Sequence, residues 1–179
     1  MAIITLDPTT GPLDAATPLA LAERPVDLEG QVLGIIANGL GDSEIMFDAI
    51  ADALVESARV TDVVKIVKAG VAVAPYPEQW DDITARATVA VTGFGGCGSC
   101  STRSMRDALD LEAAGIPAVC LVHTALVPAV KAMARIAGAP DYPMIVVDYP
   151  HNPTAVWTKD EAREIADQVV DAVRARLTQ

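Results

Sequence analysis

Residues 88–115 read TVAVTGFGGCGSCSTRSMRDALDLEAAG, and the character of the whole chain follows from how that stretch changes period. The β-branched apolar run 88–92 reads as a buried strand. A glycine-rich turn, 93–98, carries Cys97, and Cys100 stands three residues on. From about Ser101 the apolar spacing becomes helical, with Met105, Ala108, Leu109, Leu111 and Ala113 on one face. Gly115 stops the helix as the residue just past its end.

Strand, glycine turn, C-x-x-C and helix together point to thiol chemistry. A helix start leaves unpaired N–H groups and the positive end of the macrodipole, and both favour an anion. A cysteine there, or in a C-x-x-C, has its pKa lowered to roughly 3.5–7.5. Arg103 and Arg106 would add positive charge if they fold back over the turn. The glycines let a substrate approach the backbone closely. Cys97 and Cys100 are therefore the candidate catalytic pair, and Gly95, Gly96, Ser99 and Ser101 the candidate substrate-binding residues of the turn. As inert packing they would be small buried fillers, a reading disfavoured by the Gly and Ser spacers.

Two rival readings use the same residues. Gly93, Gly95 and Gly98 spell G-x-G-x-x-G, the dinucleotide fingerprint, but no acidic residue ends the next strand and this strand is the third, not the first. A zinc site needs four ligands, and one C-x-x-C supplies two. Cys120, His123 and His151 would have to complete it.

The surrounding composition bounds the rest. A chain of 179 residues fits one domain with a substantial core. Hydrophobic residues make up 51% and aromatics 4%, the balance of helices packed on a parallel sheet. A net charge of −11 argues against nucleic acid or an anionic membrane surface as partner. Neither a transmembrane run nor a signal-peptide pattern is visible. Three cysteines make no disulfide framework. The expectation is a soluble, cytoplasmic protein.

Outward from the central stretch, strand and helix patterns alternate. Residues 1–29 hold Pro8, Pro12, Pro18 and Pro25 and read as an extended arm that wraps a neighbour or the domain surface. Residues 30–179 form one α/β domain. Its strands are expected at 31–37, 62–67, 88–92, 117–122 and within 143–148. A loop-like segment, 69–79, precedes a short helix at 80–86, and Thr158 with Glu161 starts the last helix with a capping box. The class is a doubly wound parallel sheet of about five strands with helices on both faces, a flavodoxin-like three-layer arrangement. Ligands in such sheets bind beyond the carboxyl ends of the strands. Those ends deliver Asn38, Lys68, Cys97 with Cys100, His123 and His151. Asn38 and Lys68 are candidate substrate binders, the ammonium offering a partner for an acid group. His123 and His151 are candidate catalytic residues.

VLGIIANG (32–39), KIVKAG (65–70) and VTGFGGCGSCSTRSMRDALDLEAAGIPAV (91–119) resemble the UGSC family, named for a U/C-G-S-C motif whose first position is selenocysteine in some members. The motif here is Cys97-Gly98-Ser99-Cys100, and the likeness includes Asp107, Glu112, Pro150 and His151. From Cys97 onward the chain is also similar, more distantly, to the selenoprotein B component of glycine reductase. The resemblance implies that residue 97 acts in chemistry, and the more distant likeness implies reductive cleavage of a carbon–heteroatom bond in a small molecule. The expectation is thus a cysteine-dependent oxidoreductase with Cys97 as nucleophile and Cys100 as resolving thiol. Its alternatives are a non-redox hydrolase or lyase with His123 or His151 as base, and a metal-binding or carrier subunit of a larger complex. No cofactor beyond the thiols is expected, with zinc or iron at Cys97 and Cys100 as the alternative. The proline-rich arm suggests a homo-oligomer, most simply a dimer, or docking on a partner subunit.

Overall fold

The computed structural model describes residues 18–148 and 158–179. Among the described residues, five strands and five α-helices alternate. The strands are β1 (Val32–Ala37), β2 (Asp62–Val67), β3 (Val89–Gly93), β4 (Ala118–His123) and β5 (Met144–Val147). The helices are α1 (Ser43–Ala58), α2 (Pro77–Arg86), α3 (Gly98–Ala113), α4 (Val127–Ile136) and α5 (Lys159–Leu177). The strands pair in the order β2-β1-β3-β4-β5, and every neighbouring pair is parallel.

Period-2 alternation along the strands splits the core in two, because the central strands β1, β3 and β4 are covered on both faces. Val119 and Leu121 of β4 pack with Phe47 of α1 and Val173 of α5. Ala118, Cys120 and Val122 of the same strand pack with Ile83 of α2, Met105 of α3 and Val130 of α4. The chain is therefore an α/β three-layer protein. Its strand order reverses direction between β1 and β3, where such sheets hold their ligands. None of the described helices is long and apolar enough to cross a membrane.

Two helix starts lie earlier than sequence spacing indicates. Helix α2 begins at Pro77 rather than at residue 80, since a proline at the first helical position sacrifices no hydrogen bond. The Gln79 side chain accepts the Tyr76 N–H at 3.0 Å, which closes that first turn. Helix α3 begins at Gly98 rather than near Ser101, because the Cys97 sulfur takes the role of its cap.

The described part of the N-terminal segment lies on its own domain. Leu19 N–H donates to Gly138 O at 3.0 Å, and Leu28 is fully inside the α1/α5 core. Arg24 forks onto Glu112 at 2.6 and 2.8 Å. Residues 1–17, the first part of the expected arm, are outside the described residues.

Candidate active site

The turn after β3 is shaped by two glycines that no other residue could replace without movement. Gly93 has φ +142°, and a Cβ there would lie 2.8 Å from the Leu121 carbonyl oxygen. A Cβ on Gly95 would collide with the Ser101 side chain and stand 2.5 Å from its backbone nitrogen. Between them Phe94 is buried in the core, so the turn is pinned from below and pressed against the start of α3.

Cys97 is the N-cap of α3, with extended backbone. Its Sγ accepts the Cys100 N–H at 3.3 Å and lies 3.4 Å from Ser99 Oγ. Cys97 and Cys100 are joined as a disulfide. The two sulfurs differ in access: Cys97 is exposed, whereas Cys100 is 1% exposed. A Cβ built on Gly98 would meet no heavy atom within 4 Å, so the space beside Cys97 is open.

Neighbouring strand ends are stitched to this turn. Asn38, at the end of β1, donates through Nδ2 to Phe94 O at 2.6 Å and accepts the Leu40 N–H at 2.9 Å. It is fully buried and braces two loops. His123, at the end of β4, meets the Phe94 ring edge-on, with centroids 6.3 Å apart. Its Nδ1 accepts the Ala125 N–H at 3.0 Å, so the neutral ring carries its proton on Nε2. Ser99 is exposed and Gly96 half-buried beside Cys97. Ser101 and Gly95 are buried against one another, which makes both part of the turn's framework. His151 lies outside the described residues.

Lys68 does not stand at the mouth. Its ammonium lies 2.7 Å from Asp107 Oδ2, and neither side chain has exposed surface. Asp107 is ten residues beyond Cys97 in sequence, about 15 Å along a helix. The geometry therefore gives Lys68 an internal counter-charge and not an anionic substrate. Arg103 joins the same carboxylate through Nε at 2.9 Å and through a terminal nitrogen at 2.6 Å. It also reaches Asp110, which Arg106 contacts at 2.8 Å. The two arginines thus lie along the helix instead of folding over the turn. Burial pushes the Asp107 carboxyl up, against the downward pull of Lys68 and Arg103. Cys120, deep in the sheet, is a different thiol from the other two: burial pushes it up to about 12. Among the described residues no three His, Cys, Asp or Glu side chains are gathered for a metal ion.

Phe94 and Asp107 are the members of this arrangement to which the sequence assigns no role, although Asp107 stands within the family likeness. Asp107 left a signal, an acidic residue inside the buried stripe of Ser104, Ala108 and Leu111. Phe94 left none, since an aromatic residue between glycines is as readily a surface loop. The model of the UGSC family matches residues 4–179. No curated protein matches the chain.

Proposed function

The chain belongs to the UGSC family, and from that premise we propose that it is a thiol-dependent oxidoreductase acting on a small molecule through Cys97 and Cys100. One observation carries the reading: an exposed sulfur at a helix start is bonded to a buried sulfur three residues on. That asymmetry suits an attacking thiol, which must meet a substrate, and a resolving thiol, which need meet only its partner.

For a carbon–heteroatom bond the cycle balances as follows. The Cys97 thiolate attacks carbon, a C–S bond forms, and the heteroatom leaves with the electron pair. The Cys100 thiolate then attacks the Cys97 sulfur. The S–S bond forms, the C–S bond breaks, and carbon keeps the pair and takes a proton. The substrate has gained two electrons, and an external thiol reductant must reduce the Cys97–Cys100 disulfide before the next turn. On a disulfide substrate the same pair would perform thiol exchange. The reductive direction rests on the distant likeness to the selenoprotein B component, which the family match does not address.

His123 supports this over a hydrolase that uses it as base. Its Nδ1 is engaged by a backbone N–H, and the remaining ring nitrogen of the neutral form is a donor. His123 is accordingly read as a hydrogen-bond donor through Nε2 or a support for Phe94, and Asn38 as the brace of the loop.

An aromatic disulfide with a coloured leaving thiol tests the pair. The reduced protein should release two leaving thiols per chain and end as the Cys97–Cys100 disulfide. Cys100→Ser should release one and hold a stable mixed disulfide on Cys97. Attack from Cys100 in a Cys97→Ser variant at the wild-type rate would sink the assignment.

A further inference from the structure

We propose that Ser99 sets the acidity and reduction potential of Cys97, a task other than the substrate binding that its place in the motif suggests. In the disulfide Cys97 Sγ carries no hydrogen, so the hydroxyl is the donor in its 3.4 Å contact with Ser99 Oγ. The Cys100 N–H meets the same sulfur at 3.3 Å. Two donors therefore converge on the sulfur that is to carry negative charge.

A hydrogen bond to an ionised acceptor is roughly twice as strong as one to a neutral acceptor. Both donors thus favour the thiolate over the thiol and over the disulfide. The backbone N–H belongs to the helix and is present whatever residue 99 is. The hydroxyl is the part of this pair that a side chain controls. Ser101, the next serine, cannot share the task, because it is 1% exposed beneath the turn against Gly95. Thr102 is turned to the Ser99 carbonyl, donating at 3.0 Å.

The inference rests on Cys97 being the reactive thiol, and the test separates the two ideas. The full chain is reduced with dithiothreitol, whose two thiols close to a ring disulfide as the Cys97–Cys100 pair takes up two electrons and two protons. Alkylation of Cys97 by iodoacetamide is followed against pH by peptide mass, and the dithiol equilibrium is measured in the same buffer. Ser99→Ala should raise the pH midpoint of Cys97 alkylation by about one unit. It should lower the equilibrium constant for reduction about tenfold, a potential about 30 mV more negative. Ser99→Thr, which keeps the hydroxyl, should restore both. Residue 99 is exposed, and thermal melting of each variant confirms that the fold is retained. An acidic Cys97 in the wild type with Ser99→Ala unchanged would overturn the role of Ser99 alone, as would a Ser99→Thr variant that fails to rescue. A wild-type Cys97 that titrates like an ordinary free thiol would overturn the proposed enzyme and this inference together.

Discussion

Cys120 and Cys97 show how position alone separates two thiols of one chain. Cys97 stands exposed at a helix start; Cys120 is fully buried in β4 and pushed up to about 12. The unfolded chain would ionise Cys120 near its ordinary value of 9.0, while the folded chain keeps the proton. Between those values the folded state holds more protons, so stability must fall as pH rises. Tyr142 adds to the same slope. Its hydroxyl donates to Ala118 O at 2.6 Å, and burial, then Glu112, raise it well above its ordinary 10.0. Both contributions are intact at neutral pH and are lost on the alkaline side. Urea unfolding at pH 8 and pH 10.5 should show this loss in the wild type, and Cys120→Ala should show less of it. An unchanged alkaline slope in that variant would mean that Cys120 ionises in the folded chain. In native protein at neutral pH, alkylation should modify Cys120 only after denaturant is added.

Helix α3 carries Cys97 at one end and a buried charge pair near its middle, and the two ends of that pair are unequal. Lys68 has Asp107 as its hydrogen-bonded counter-charge, whereas Asp107 also holds two bonds from Arg103. Removing one member of a buried pair costs about 3–5 kcal/mol, because the other is left uncompensated. Asp107→Ala should therefore be the worse change, at the upper end of that range. Lys68→Met should cost less, since Arg103 remains on the carboxylate. Replacing both by apolar residues should recover much of the loss. Equal costs for the two single variants, measured by chemical unfolding, would contradict this ranking. The element also shows what spacing can and cannot reveal. The strand, the glycine turn and the C-x-x-C were legible because period and residue type change together at residues 92 to 101. The doubly wound parallel class followed from the alternation of strand and helix. The fate of Lys68 was not legible, because a lysine at a strand end reads the same whether its ammonium meets solvent or a carboxylate from a helix two strands away. The early start of α3 was missed for a related reason: a cysteine sulfur acting as N-cap lies outside the Ser, Thr, Asp and Asn signals of helix starts.

The molecule's opposite edge, where the strands begin, is closed by a second buried charge pair, Arg24 with Glu112, beside which the C-terminal residue meets Pro25. Glu112 is fully buried, and it accepts from Arg24, from Ala22 N–H at 2.7 Å and from Ala118 N–H at 2.9 Å. Gln179 N–H in turn donates to Pro25 O at 3.0 Å. A division of the chain at residue 29 runs through this packing, since Arg24 and Leu28 lie on its far side. Residues 18–29 belong to the domain's own stability. Deleting residues 1–28 should therefore destabilise the fold as well as change any assembly. It would remove the Glu112 counter-charge and uncover the core beside α1 and α5. Arg24→Met isolates the charge. It leaves the carboxylate buried with only its uncharged donors, and the cost should be on the order of 3 kcal/mol. Adding Glu112→Gln should return part of that cost, because it removes the uncompensated charge, although its single amide oxygen can accept from only one of Ala22 and Ala118, which bond different oxygens of the carboxylate. Urea unfolding at several protein concentrations reads both effects apart, since a folding defect is independent of concentration and a lost association is not. If Arg24→Met unfolds within about 0.5 kcal/mol of the wild type, the scale of an ordinary surface change, the segment is held by something other than this pair.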